Sequence, residues 1–156
     1  MLDPVVGIDL GTTHSLVAIC DEAGPRVLAD GQGRTLLPSV VRFLAGQPPV
    51  VGHQARSRAV EFPLDTIASS KRFMGRSHAE SLRIAEGFGG RLVEGPRGIA
   101  AFDAGGRTVT PQEVAALVLA QLKATAEAAL GHPVRRAVIT VPAYFDDGQQ
   151  IGRAHV

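Results

Sequence analysis

The chain of 156 residues has one cysteine, no tryptophan and no asparagine, and its 16 basic and 15 acidic side chains nearly cancel. The lone Cys20 cannot form an internal disulfide, and its place at the end of an apolar run predicts a buried thiol rather than a nucleophile. The balanced charge argues against a nucleic-acid-binding face and a membrane-surface segment. The sequence has no run of about 18 apolar residues that could span a membrane. An acidic residue as early as Asp3 is not typical of a secretory signal. We therefore expect a cytoplasmic protein that binds neither nucleic acid nor membrane.

Lysine is also scarce, since only Lys71 and Lys123 occur, whereas the apolar fraction of 45% is normal for a domain with a buried core. Arginine would serve wherever only a charge on a long stem is needed. A compact ammonium can instead approach a phosphate or a water molecule as a point charge. The two lysines are therefore candidates for a specific role.

The most informative segment is an apolar run at residues 5–8, followed by Asp9-Leu10-Gly11-Thr12-Thr13 and a second apolar run at residues 15–20. Two β-type runs around a turn that needs glycine predict a hairpin. Its tip brings two threonine hydroxyls and several backbone N–H groups close to Asp9. A carboxylate repels phosphate unless a cation lies between them, so the tip predicts bound Mg²⁺ and a nucleotide.

Turn residues divide the middle of the chain into short elements. Runs 5–8, 15–20 and 26–29 predict an antiparallel meander. Further predicted elements are strands at 39–43 and 50–51, a short helix from Gly52 that stops at Pro63, a helix or turn over 66–74, and a small sheet over 87–109, where a disordered insertion is the alternative.

The strongest helix signal covers residues 111–130. Thr110 and Glu113 match a capping box, and Gly131 supplies the stop. Apolar positions at helical spacing predict a stripe that packs on a sheet, namely Val114, Leu117, Val118, Leu122, Thr125 and Ala129.

After this helix, the run 137–141 predicts a buried strand that ends at Pro142, which makes an α/β crossover. Several other sites are excluded by spacing. The chain has neither a Walker loop nor a complete dinucleotide-binding fingerprint, and it has no serine-hydrolase elbow. Its histidines are scattered and have no partner at zinc-site spacing.

Four blocks, in this order, resemble the 70-kDa heat-shock chaperone family. They are the hairpin Gly7–Ser15, the proline–serine strand entry Leu37–Val41, the catalytic-lysine segment Lys71–Arg76 and the connecting segment Val138–Asp147. The hairpin alone also occurs loosely in sugar kinases, but the later blocks do not fit a kinase. Their details are most similar to the HscA-type branch, which is dedicated to iron–sulfur cluster assembly.

The resemblance implies an α/β fold of the actin-like, ribonuclease H-like ATPase type. We expect the first lobe only, over residues 1–150, as a mixed sheet with flanking helices and a small inserted α+β subdomain at about 36–109. Residues 151–156 depart from the family and match what one frame of a common sequencing adapter would encode. We expect them to be an artefact, with a genuine divergent tail as the alternative.

The resemblance also implies ATP or ADP with Mg²⁺ as cofactors. Asp9 would then hold the metal through its water shell. Lys71 would orient the attacking water and offset charge that develops on the γ-phosphate. Pro142 would relay the nucleotide state toward a peptide-binding domain. The residues implied to contact the nucleotide are Gly11, Thr12, Thr13 and His14, the last without an acid–base duty.

The implied partners are a J-domain co-chaperone and a client peptide, which is an iron–sulfur scaffold protein for the HscA-type branch, in the bacterial cytoplasm. We expect an N-terminal fragment with negligible ATPase activity, because the opposing lobe would be missing. Two alternatives remain: the N-terminal part of an actin-fold sugar or acid kinase, and a non-catalytic binding module that kept the fold.

Overall fold

Three β-sheets and one long helix form the part of the chain that the computed structural model describes, residues 4–140. In chain order the strands are β1 (Val5–Leu10), β2 (His14–Asp21), β3 (Gly24–Val27), β4 (Leu37–Pro38), β5 (Val40–Arg42), β6 (Val50–Val51), β7 (Thr66–Ala68), β8 (Arg91–Glu94), β9 (Ala100–Ala104), β10 (Arg107–Val109) and β11 (Arg136–Thr140). The α-helices are α1 (His53–Ser57), α2 (His78–Arg83) and α3 (Pro111–Leu130), and 3-10 helices cover Ser70–Phe73 and Pro96–Gly98. Pro142 and residues 151–156, on which two of the predictions fall, lie outside the described residues.

The largest sheet contains five strands in the order β11-β1-β2-β3, with β4 paired to β2. β1 runs antiparallel to β2 and parallel to β11, so the sheet is mixed. Val6, Ile8 and Leu10 are buried, whereas Asp9 between them is exposed. One face therefore packs in the core with α3, and the other carries the acidic end of β1. The predicted meander and the α/β crossover are both confirmed.

Helix α3 begins and ends at the predicted residues. Thr110 Oγ1 accepts from the Glu113 amide at 3.2 Å, and the Glu113 carboxylate accepts from the Thr110 amide at 2.6 Å. Gly131 ends the helix with φ 74°. The buried positions are Pro111, Val114, Ala115, Val118, Leu122 and Ala126.

None of the helices within residues 4–140 is both long and apolar enough to cross a lipid bilayer.

The predicted stripe on α3 is only partly correct. Val114, Val118 and Leu122 are buried, but Ala129 is exposed, and the burial passes to Ala126 instead. The buried side chains follow one i, i+4 ridge, which is inclined to the helix axis. The buried face of α3 therefore departs from the predicted stripe toward the carboxyl end of the helix.

Two expectations about burial are wrong. β11 is mostly exposed, with Val138 62% exposed, because within the described residues it pairs only with β1 and forms the edge of the sheet. Only Ile139 packs partly against the core. Cys20 is likewise exposed, because the burial alternation of β2 ends before the residues that pair with the exposed β3.

The region between β3 and α3 contains two three-stranded sheets, β6-β5-β7 and β10-β9-β8. The second confirms the predicted sheet over 87–109 rather than the disordered alternative. Helix α1 ends at Ser57 instead of reaching Pro63. Ala55 is the only buried residue of α1. Short helices depend on packing for their stability, and a single buried side chain gives α1 too little packing to extend further.

The segment 66–74 also differs from the prediction, because β7 precedes the 3-10 helix Ser70–Phe73. Helix α2 was missed, although Ser77 and Glu80 form a capping box that its sequence contains. The core of this region is an aromatic cluster of Phe73, Phe88 and Phe102, with ring centroids 4.9 to 5.6 Å apart.

Candidate functional site

The turn between β1 and β2 spans residues 11–13 and closes on the pair Leu10 and Ser15. A Cβ atom at Gly11 would lie 2.0 Å from the His14 carbonyl oxygen, far inside van der Waals contact. The obstacle is backbone rather than a flexible side chain, so only glycine permits this turn. The tight approach explains why the predicted tip needs its glycine.

Asp9 lies on the exposed face of β1, one residue from the end of the strand. The Thr140 hydroxyl on β11 lies 3.3 Å from Asp9 Oδ1 and 3.4 Å from the Ile8 carbonyl oxygen. This carboxylate is therefore held at the edge of the tip and stays accessible to a ligand. It does not point into the apolar interior.

The donor set at the tip fits Mg²⁺ held through water. Within residues 4–140 no group of three or more histidine, cysteine, aspartate or glutamate side chains could enclose a metal ion. Asp9 offers one exposed carboxylate, with hydroxyl groups nearby. Mg²⁺ commonly uses one or two carboxylates and keeps its remaining positions for water and phosphate oxygens. This chain's own groups suit such a site and do not suit a closed protein cage.

Lys71 reaches the same tip from 61 residues away in the chain. Its Nζ donates to the Leu10 carbonyl oxygen at 2.5 Å. The short helix that carries Lys71 is anchored by Phe73 and Met74, which are fully buried. Ser69, just before the helix, adopts a left-handed backbone (φ 56°) that turns the chain sharply out of β7. The ammonium is thus held at the carboxyl end of β1 by a packed element.

Thr12 and Thr13 line a cavity of about 370 Å³ together with Arg56 of α1 and Arg72 of the 3-10 helix. Arg72 donates to the carbonyl oxygens of Ile84 and Glu86. Two guanidinium groups and two threonines therefore line one cavity beside the hairpin tip.

His14 forms a hydrogen bond with a residue of that cavity. Arg56 Nη1 lies 2.9 Å from His14 Nε2. Because a guanidinium can only donate, Nε2 is the acceptor of this bond. The hairpin is tied by this bond to α1, 42 residues away.

The structure therefore brings together six of the seven residues implied by the sequence. Around one hairpin tip lie Asp9, Gly11, Thr12, Thr13, His14 and Lys71. Pro142 lies outside the described residues. Sequence reasoning assigned no role to Arg56, Arg72 or Ser39. Ser39 lies in the block Leu37–Val41, whose sequence indicates only the start of a strand. Arg56 lies in none of the four blocks that resemble the family.

The family model for Hsp70 protein matches residues 5–154 of this chain. The chain belongs to the Hsp70 family. It is also 48% identical over 145 residues to the Chaperone protein HscA homolog of Methylococcus capsulatus, an alignment that covers 93% of this chain and 23% of that relative. The chain thus spans about a quarter of the length of the curated relative it matches.

Membership of the Hsp70 family confirms the predicted fold. Hsp70 ATPase domains are actin-like, and the mixed sheet with helices beside it agrees with a partial first lobe. The match also selects the chaperone family over the actin-fold kinase alternative.

Proposed function

We propose that this Hsp70 chain supplies the first lobe of an ATPase domain whose ATP hydrolysis controls peptide binding and release in iron–sulfur protein maturation. The observation that carries the proposal is the Lys71 ammonium on the Leu10 carbonyl, at the tip that also bears Asp9 and the two threonines. Similarity to a protein named as an HscA homolog supports the iron–sulfur branch, as do the HscA-type blocks.

The roles proposed for the individual groups are those that the family resemblance implies. Asp9 would hold Mg²⁺ through water, and Lys71 would orient the attacking water and offset charge on the γ-phosphate. Bound Mg²⁺ supplies charge neutralisation at the phosphate oxygens. The turn residues Gly11, Thr12, Thr13 and His14 would hold the phosphates of ATP or ADP.

The proposed partners are a J-domain co-chaperone and a client peptide, an iron–sulfur scaffold protein, in the bacterial cytoplasm. Pro142 relays the nucleotide state to the peptide-binding domain. The lobe is taken to span residues 1–150, with an insertion at about 36–109. The bacterial source of the HscA homolog supports the proposed bacterial cytoplasm.

The test of the catalytic role uses the two lysines of the chain. In the complete chaperone that contains this segment, Lys71→Met should slow single-turnover ATP hydrolysis by about 10²- to 10³-fold, because it removes a preorganised charge at the phosphate. Lys123→Met is the matched control, since Lys123 is exposed on α3, where it lies 3.8 Å from Glu127. Equal rates for Lys71→Met and the wild type would refute the role of Lys71.

We further propose that the 156-residue chain alone hydrolyses no measurable ATP and binds it only weakly. Among the described residues the site groups come from one hairpin and the elements beside it, and Asp9 and Thr13 are exposed. Water therefore screens the charges that would grip the phosphates. Isothermal titration with Mg-ATP measures this directly, and a micromolar dissociation constant would contradict it.

A further inference from the structure

Ser39, which follows β4, contacts both ends of the phosphate turn. Its hydroxyl donates to the Gly11 carbonyl oxygen at 2.9 Å, and its amide donates to the Thr13 carbonyl oxygen at 2.9 Å. Ser39 is only 7% exposed, so water competes little for these bonds. One buried residue thus holds the first and the last carbonyl of the turn.

A second buried serine contacts the Ser39 hydroxyl. Ser15 Oγ lies 2.8 Å from Ser39 Oγ, and Ser15 is 1% exposed. The single Ser39 hydroxyl proton is used on Gly11, because a carbonyl oxygen can only accept. Ser15 must therefore donate to Ser39, and the bond from Ser39 to Gly11 does not depend on that contact.

Holding these two carbonyls also orients the amides that follow them. Within residues 4–140 every peptide bond is trans, and in a planar trans peptide the C=O and the next N–H point in opposite directions. With the Gly11 and Thr13 carbonyls turned toward Ser39, the Thr12 and His14 N–H groups point away from it.

We propose that Ser39 is a positioning residue for phosphate binding: it orients the peptide planes of the turn through the Gly11 and Thr13 carbonyls. The proposal rests on the proposed function, because it places the nucleotide phosphates at this turn. Ser39 itself need not touch them.

The test compares Ser39→Ala with Ser15→Ala in the ¹⁵N-labelled 156-residue chain. Both variants remove one buried hydroxyl, but only Ser39→Ala removes the bond to Gly11. We expect the backbone order parameter of Thr12 to fall from about 0.85 to below about 0.6 in Ser39→Ala and to stay unchanged in Ser15→Ala. Ser39→Thr, which keeps the hydroxyl, should restore the rigid turn. If Ser39→Ala does not fold, Ser39→Cys keeps the side-chain size with a much weaker donor.

The second measurement is a titration with millimolar Mg-ATP, followed through the amide shifts of residues 11–14. Ser39→Ala should raise the dissociation constant about two- to tenfold, the effect of one lost hydrogen bond, while Ser15→Ala stays near the wild type. A turn that stays rigid in Ser39→Ala would overturn the inference, and so would a mobile turn with unchanged affinity. A wild-type turn that ignores Mg-ATP would instead refute phosphate binding by this chain, and the order parameters would still show whether Ser39 holds the turn.

Discussion

Replacing Gly11 by alanine should destabilise the domain, whereas the same replacement at Gly7 should not. A Cβ atom at Gly11 meets the His14 carbonyl oxygen at 2.0 Å, while one at Gly7, four residues earlier in β1, has no atom within 4 Å. Both substitutions restrict the unfolded chain equally, which stabilises by about 0.4–1 kcal/mol. That contribution cancels when the two variants are compared, so their difference isolates the clash at the turn.

Overpacking that cannot be relieved by a side-chain rotation costs about 1–3 kcal/mol. We therefore expect Gly11→Ala to be less stable than Gly7→Ala by about 1–3 kcal/mol in urea unfolding followed by circular dichroism. At about 2–4 °C per kcal/mol for a chain of this size, the melting temperatures should differ by about 2–12 °C. Equal midpoints for the two variants would show that the turn opens without cost, and the argument for its glycine would be wrong.

Three further predictions concern other parts of the chain. Thr110→Ala should lower the free energy of unfolding by about 1 kcal/mol because it removes the side-chain cap of α3; Thr125→Ala within the same helix is the control, and equal losses would contradict a capping role. The Arg34 amide, the Arg34 guanidinium and the Gln32 amide lower the pKa of Asp30 to about 2, so its contribution to stability is present above about pH 4 and is lost as the pH falls toward 2. Asp30→Asn should therefore show a shallower loss of stability than the wild type in urea unfolding between pH 5 and pH 2, and parallel curves would exclude the effect. The exposed Cys20 should react with a thiol reagent in the native protein as fast as in urea, with Cys20→Ser as the blank, and protection until unfolding would show that it is buried.

Local signals were sufficient where an element is stabilised by its own residues. The bounds of α3 follow from its capping box and Gly131, and the hairpin follows from two β-type runs around Gly11. Each of these signals acts within a few residues, so the linear sequence contains it completely. The capping box of Ser77 and Glu80 shows that α2 could have been found in the same way.

Burial was predicted less well, because it depends on what covers an element. The apolar run of β11 is typical of a central strand, yet the described residues place it at a sheet edge. Cys20 ends an apolar run and is nevertheless exposed. Composition specifies how apolar a strand is, whereas its neighbours in the sheet determine how much water reaches it.

By itself, the sequence determined the bounds of α3, the hairpin with its turn glycine, the mixed sheet with its long helix, the Hsp70 family and the identity of the residues at the tip. Only the tertiary structure decided how distant segments meet there: the Lys71 ammonium on the Leu10 carbonyl, Arg56 on His14, and Ser39 on both ends of the turn. The physical reason is the distance along the chain over which each interaction acts. Turns and caps are specified by neighbours along the chain, but a hydrogen bond across 28 to 61 residues exists only after the core has packed and brought its two partners together.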